Sequence, residues 1–489
     1  MKVLLVSDTT GLGLMEARPD PAWRIRSSAL RNKDLLAPDY GMMHVAAYLK
    51  KKGRGFDVLN VVADVHRDAS LYTEPNKDPD GMSGSIIGQP EYAQASRRHL
   101  FESLGRLSPD VVMVPLSNYS LALYVRKLLG EVRDACPGAL LITGGIYSTL
   151  HAGEVLRDGS ADFVVRGEGE IACAELLDSI EQGRGGEGVA GVSGWSNGDV
   201  WHNVARTPVG DLDVLPHPYS VSDEFEVRAR FDMLRVLNPW DDYIPGAGFM
   251  TSRGCPESCK FCLDPALNHG RVRFHSPGYV RDVLTYCSEH FGGNGFFFGD
   301  ATFTLNRKRL VKLLEEIRSF PYEYQIQTRA DHLDDVIIDM LAESRFKGVA
   351  IGAESLNEDV LREAAGKRLG AKTIVSAALA VMRAGMTPLL TFIVGLPGET
   401  RSSIMRTVEI LKDNGILSAT FFPLVVFKGT ELFEAFDERY PEGEKDVLRL
   451  SPFSEEFLFT GAEFRTPEEL IGFTDEVNAL IAEARASRE

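Results

Sequence analysis

The chain reads as an α/β protein of two successive parallel-sheet domains followed by a small, mostly helical C-terminal region. Two observations predict this. Short apolar, β-branched runs alternate with helical periodicity from residue 1 to about 182, and again from about 245 to 430. The 489 residues, 44 % of them hydrophobic and 25 % charged, are about three times the usual domain length and can fill large cores. Expected boundaries are 1–183 for the first domain, 184–245 for a linker, 246–430 for the second domain and 431–489 for the C-terminal region.

In the first domain five strands are expected, at Lys2–Ser7, Phe56–Val61, Asp110–Pro115, Ala139–Thr143 and Asp162–Arg166, with helices near 40–52, 92–105, 120–134, 150–157 and 170–182. Strands so uniformly apolar are those covered by helices on both faces, which makes this a doubly wound, Rossmann-like (flavodoxin-like) domain. Ligands bind such sheets beyond the carboxyl ends of the strands. Three loops fall there, and they supply Ser117 and Asn118, then Gly144, Gly145 and Ser148, then Gly167 and Glu168. The paired glycines let backbone approach a ligand closely, and the hydroxyls offer it hydrogen bonds. A dinucleotide-binding reading is poor, because Asp8-Thr9-Thr10-Gly11-Leu12-Gly13 completes only G-x-G.

Glycine-rich Gly183–Gly188, a strand-like patch around Gly191–Val204 and the turn-rich Leu215–Tyr219 make up the linker. Six strand–helix units then follow. Their strands are expected near Gly248–Ser252, Gly295–Gly299, Tyr322–Thr328, Gly348–Gly352, Thr387–Gly395 and Ala419–Val426. The intervening helices are expected near 278–291, 307–318, 332–344, 357–382 with a break at Gly366, and 401–413. In parallel barrels the reactive residues lie at the C-terminal ends of the strands.

The first of those ends carries Cys255, Cys259 and Cys262, three of the chain's six cysteines within eight residues. Three thiolates bound to a [4Fe–4S] cluster leave one iron open to a small molecule with an amine and a carboxylate. A structural zinc ion would want a fourth ligand, which His269 offers. Cys136, Cys173 and Cys287 are scattered singly and no secretion signal opens the chain, so no disulfide framework is expected.

The net charge of −17 argues against nucleic acid as a partner, since phosphate binding needs clustered cations. No apolar run approaches the roughly 18 residues of a membrane span, and the cytoplasm is the expected compartment.

The spacing C-x3-C-x2-C, with Phe261 before the last cysteine, resembles the radical S-adenosylmethionine (SAM) family over residues from about 245 to 430, which implies Phe261 among the SAM contacts. The resemblance implies a partial (β/α)6 radical SAM barrel. Phe298-Gly299-Asp300 takes the position of the family's GGE motif, which implies contacts from Gly299 and Asp300 to the methionyl amine of SAM. Gln325, Gln327 and Arg329 share a strand face by alternation, and by resemblance Gln327 or Arg329 meets the SAM carboxylate or ribose. Gly352-Ala353-Glu354-Ser355 is similar to the family's G-x-E-S, which sets Glu354 at the ribose hydroxyls. Gly395-Leu396-Pro397-Gly398-Glu399-Thr400 is a further family marker, with Gly395 close to adenine.

The first domain, with its Gly144-Gly145 loop followed by Asp162-Phe163-Val164-Val165-Arg166-Gly167-Glu168-Gly169-Glu170, resembles that of cobalamin-binding radical SAM enzymes. This implies cobalamin among Ser117, Asn118, Gly144, Gly145, Ser148, Gly167 and Glu168. One departure is the D-x-H-x-x-G signature of base-off cobalamin proteins. Asp64-Val65-His66-Arg67-Asp68-Ala69 follows the second strand rather than the first and ends in alanine.

By resemblance, the chemistry is reductive cleavage of SAM at the cluster to a 5′-deoxyadenosyl radical that removes hydrogen from a small-molecule substrate. With cobalamin, the leading expectation is C-methylation of an unactivated carbon in specialised metabolism. A cobalamin-independent deoxygenase or dehydratase of the aminoglycoside type, a cyclase, and a non-catalytic iron–sulfur sensor are the alternatives. A flavodoxin or ferredoxin would be the electron donor. No residue is assigned a catalytic role beyond these contacts, and the run Phe453, Phe457, Phe459 and Phe464 is read as packing.

Overall fold

The computed structural model describes residues 1–7, 39–61, 90–117, 119–228, 230, 245–440, 456–458 and 463–488. The chain divides into two compact units, Met1–Asp242 with Leu450–Glu455, and Tyr243–Arg449 with Glu456–Glu489.

The first unit rests on strands β1 (Val3–Ser7), β2 (Asp57–Asn60), β3 (Val111–Pro115), β4 (Leu140–Gly144) and β5 (Phe163–Val165). They pair in parallel in the order β2-β1-β3-β4-β5, so the winding reverses between β1 and β3. All five β1 residues are buried, as in a strand covered on both faces. The covering helices are α1 (Tyr40–Lys51), α2 (Pro90–Leu107), α3 (Ala122–Ala135), α4 (Ile146–Leu150), α5 (Ala152–Arg157) and α6 (Gly169–Glu181). Asp39 caps α1 by accepting the Met42 N–H at 3.1 Å, whereas α6 begins at Glu168 with no side-chain cap.

Part of the expected linker belongs to this sheet. β6 (Val192–Ser196) runs antiparallel to β5, and β7 (Asp199–His202) runs antiparallel to β6. Between them Asn197 and Gly198 adopt φ of 53° and 84°, the left-handed pair that a tight hairpin needs.

In the second unit β8 (Pro245–Phe249) leads to a two-residue antiparallel pair, β9 (Ser252–Arg253) with β10 (Arg273–Phe274), which brackets α7 (Asp264–Asn268). Then come α8 (Pro277–His290), β11 (Gly295–Phe298), α9 (Arg307–Ile317), β12 (Glu323–Thr328) and α10 (Asp335–Glu343). They are followed by β13 (Phe346–Glu354), α11 (Glu358–Glu363), α12 (Ala371–Arg383), β14 (Thr387–Val394), α13 (Arg401–Asp413) and β15 (Ala419–Pro423). The strands β8, β11, β12, β13, β14 and β15 lie side by side in chain order, all parallel, as an open half-barrel. Helix starts are chemically marked: Ser276, Asn306, Asp334 and Asn357 each accept a backbone N–H of the first turn, and Thr400 with Ser403 forms a capping box. The helix-facing side of the sheet is an aromatic core, with ring centroids of Phe298 and Phe303 at 4.9 Å and of Tyr324 and Phe346 at 5.1 Å.

Two details differ from expectation. The first barrel strand ends at Phe249, because the residues after it turn toward β9. The sixth strand is split: after β15, β16 (Val425–Phe427) leaves the sheet and pairs antiparallel with β17 (Glu456–Leu458). Helices α14 (Glu431–Arg439) and α15 (Pro467–Ala486) complete the C-terminal region, which packs within this second unit. Phe457 stacks near Phe436 at 5.3 Å and Phe464 near Phe473 at 5.7 Å, both as packing, while Phe453 and Phe459 lie outside the described residues. Asn478 of α15 accepts the Phe421 N–H at 2.9 Å and donates to its carbonyl at 2.9 Å. Among the described residues no helix is long and apolar enough to cross a membrane.

Candidate active site

The cysteine loop is held at both ends and in the middle. Gly254 has φ of 94°, and a Cβ there would lie 2.0 Å from the Arg271 carbonyl oxygen, so a side chain does not fit where the loop leaves β9. The Cys255 N–H donates to Asp264 at 2.7 Å, and the Asp264 N–H donates to Cys262 Sγ at 3.5 Å. Midway, the Lys260 N–H bonds the Ala365 carbonyl at 3.2 Å, and the Lys260 carbonyl accepts the Leu432 N–H at 3.1 Å. Phe261 turns onto an apolar cluster that includes Ala364, Leu396, Leu424 and Phe436, so it anchors the loop to the core.

Cys255, Cys259 and Cys262 are half-buried free thiols. Burial pushes Cys259 up to about 11, opposed by the cations Lys367 and Arg329, and pushes Cys262 upward against the Asp264 N–H. Among the described residues no three His, Cys, Asp or Glu side chains converge as the ligands of one ion must, and His269 instead ends α7 with φ of 51°. In a [4Fe–4S] cluster each thiolate binds a different iron, so no such convergence is required. Three free thiols on one loop, with cations nearby to offset thiolate charge, fit that cluster.

The strand ends around this loop carry the residues expected at SAM. Asp300 is 1 % exposed, and both its oxygens are engaged: it accepts the Thr251 N–H at 3.0 Å, the Thr251 hydroxyl at 2.9 Å and the Ser252 hydroxyl. Burial raises its pKa and those donors oppose the rise. The carboxylate therefore positions the segment entering the cysteine loop. It does not cap α9, which Asn306 does. Gly299 donates its N–H to the Phe249 carbonyl at 3.0 Å.

Arg329, 7 % exposed, is bidentate to Asp331 at 2.8 and 3.0 Å and lies 3.2 Å from Glu257 in the cysteine loop. Gln327 is exposed on the face of β12 away from the aromatic core. Glu354 has φ of 61° and receives Lys367 Nζ at 2.7 Å, and the same ammonium donates to the Gly352 carbonyl at 2.9 Å. Gly395 turns with φ of 98°. Glu399 is buried and accepts the Ser355 hydroxyl at 2.7 Å, and burial pushes its pKa up to about 8 against that bond. Lys367, Glu257 and Asp331 were not singled out in the sequence. Lys367 directly follows the Gly366 break, and a lysine there, beyond a G-x-E-S strand end, is the signal that was available.

In the first unit a cleft of about 90 Å³ opens at the carboxyl ends of the strands where the winding reverses. Ser117, Gly144, Gly145 and Gly167 line it, with Met42, Met113 and other apolar groups that the sequence did not flag. Gly145 has φ of 106°, and a Cβ there would meet Ser117 Oγ at 2.1 Å. Ser148 and Glu168 do not line the cleft. Ser148 is fully buried against Thr143 Oγ1 at 3.2 Å, and Glu168 accepts the Val209 N–H at 3.0 Å. Ser148, being fully buried, must satisfy its hydroxyl within the protein. Asn118 and His66 lie outside the described residues.

Fold and site together define an enzyme whose half-barrel presents a three-thiol loop at its strand ends. Residues 249–428 match the family model of the Radical SAM superfamily. These residues form a radical SAM domain, and the fold of the chain resembles that of cobalamin-binding radical SAM enzymes. An uncharacterized methyltransferase from Pyrococcus horikoshii is 28 % identical over 334 residues, 67 % of this chain and 70 % of that protein. The radical SAM methyltransferase TsrM from Kitasatospora setae, solved with cobalamin and a [4Fe–4S] cluster, superposes with a TM-score of 0.64 at 18 % identity, over 92 % of this chain and 79 % of that one. The cobalamin-dependent radical enzyme OxsB, solved with aqua-cobalamin and SAM, gives 0.65 at 14 % identity, over 100 % and 66 % of the two chains.

Proposed function

We propose that the chain is a cobalamin-dependent radical SAM methyltransferase acting on an unactivated carbon of a small molecule, with a flavodoxin- or ferredoxin-type reductant, in the cytoplasm. The observation that carries it is the pairing, in one chain, of the three-thiol half-barrel with a cleft at the reversal point of a doubly wound sheet. Methyltransferase relatives and cobalamin-bound structures of the same fold support it. When bound, the cluster would supply one electron for cleaving SAM and cobalamin would supply a methyl group.

The chain's own residues have simpler tasks. Cys255, Cys259 and Cys262 hold the cluster. Asp300 fixes the entering segment, and the Arg329–Glu257 pair fixes the loop's other side. Glu354, Gln327, Gly299 and Gly395 stand at the strand ends where SAM is proposed to bind. In the first unit Gly144, Gly145 and Gly167 give backbone access to cobalamin, and the uncapped N-terminus of α6 leaves N–H groups for its phosphate.

The test is reconstitution under anaerobic conditions with iron, sulfide and hydroxocobalamin, followed by metal analysis and a search for label passing from methyl-labelled SAM into products. About four irons and one cobalt per chain are expected. Four irons without cobalt would overturn methyl transfer and move the reading to deoxygenation, dehydration or cyclisation.

A further inference from the structure

Four of the chain's exposed large hydrophobic residues lie on one surface of the half-barrel. Met250 is 41 %, Phe297 36 %, Leu389 37 % and Phe422 39 % exposed. Alternation along each strand assigns Phe297, Leu389 and Phe422 to the concave face, since their neighbours Phe296, Phe298, Leu390 and Phe421 are buried on the helix side. Met250 continues from β8 onto the same face: a Cβ built on Gly299 would lie 3.3 Å from Met250 Cγ and 3.5 Å from Phe297 Cε1. Apolar side chains left this open along a concave surface mark a ligand site.

The register shows what lies between them. Phe297, Gln325, Gly348 and Thr387 form one row across the sheet, and Gln327, Ala350 and Leu389 the next. Neither row carries a charge. Gln325 covers Gly348, where a Cβ would be 3.0 Å from Gln325 Cγ. Charge flanks the two rows: Glu323, paired with Lys347 at 3.8 Å, precedes them, and Glu354 and Lys367 follow, over Gly352 at 2.6 and 3.0 Å from its Cβ position and paired with each other, while Phe422, opposite Ile393, lies beyond that pair. Ala350 is left as the floor, half-exposed, between the amide of Gln327 and the isobutyl group of Leu389.

We propose that this trough selects an uncharged, predominantly apolar ring system bearing a carbonyl, amide or hydroxyl substituent as substrate. The apolar walls favour the ring, and the Gln325 amide, beside Phe297 in the row, donates to and accepts from its substituent. An ionised group lying here would lose water without gaining a counter-charge. The chain's net charge of −17 therefore does not select a cationic substrate. The inference rests on the proposed reading that substrate meets SAM on this face.

The experiment measures binding of three isosteric probes to the full chain carrying its cluster: 2-naphthamide, 2-naphthoate and 2-naphthylmethylammonium. The neutral probe is expected to bind saturably and at least tenfold more tightly than either ion. Ala350→Trp, which fills the floor, should weaken it at least tenfold with iron content unchanged. Leu389→Asp should shift preference to the ammonium probe, and it serves if the tryptophan variant fails to fold. An ion that binds as well as the amide, no saturable binding of the amide, or indifference to both substitutions would overturn the proposal. Cobalt plays no part in this readout, so cobalt-free protein that binds the amide would sink methyl transfer and leave the trough standing.

Discussion

Lys367, 5 % exposed, holds Glu354 at 2.7 Å and also lies 5.9 Å from the Phe261 ring centroid, which links a strand end to the cysteine loop. Removing one partner of a buried pair leaves the other charge uncompensated, at a cost of about 3–5 kcal/mol. Lys367→Met should lower urea stability by that order, and adding Glu354→Gln should restore part of it. Equal stability of the single variant and the parent would refute the assignment. Glu399 titrates differently. Burial pushes its pKa up to about 8 in the folded chain, above the ordinary 4.5 of the unfolded one, so the folded chain binds more protons between those values, and stability falls as pH rises across that window and then levels off. Glu399→Gln should flatten the fall, by about a few kcal/mol in total, as read from urea midpoints between pH 5 and 9. Changing Cys255, Cys259 and Cys262 together to Ala should abolish cluster absorbance and SAM cleavage. At this scale the three cysteines were legible as a spacing, and the structure places them as free, half-buried thiols on one loop. It left the partners of Asp300 and Arg329 hidden, since Thr251, Ser252, Asp331 and Glu257 reach them only once strands and loops are folded.

Among elements, the parallel strands and their helices were legible because each carries its own periodicity and most helices carry a side-chain cap. The strand-like patch around Gly191–Val204 was legible, but its folding as a hairpin and its membership of the first sheet depend on pairing with β5, which no local signal encodes. The same limit applied to β16, whose antiparallel partner is β17, about 30 residues away. The cysteine loop depends on one backbone position. Gly254→Ala forces a Cβ toward the Arg271 carbonyl at a positive φ, so iron loading should drop several-fold and stability by about 1–3 kcal/mol. Full iron loading in that variant would mean the loop can be re-routed.

For the whole molecule, two units with separate cores predict separable thermal transitions. A cofactor that binds only the folded state raises the transition of the unit that holds it. Calorimetry should show the cluster shifting one transition and hydroxocobalamin the other, and a single transition moved by both would argue for one cooperative unit. A half-barrel also has a margin. At β15 the amide of Asn478 stands opposite Phe421 and occupies the N–H and C=O that another strand would claim. A helix-borne side chain thus imitates one residue of a missing neighbour and leaves that position of the border without a vacancy for a foreign chain. The resistance of this margin to strand addition rests, on this account, partly on a single asparagine.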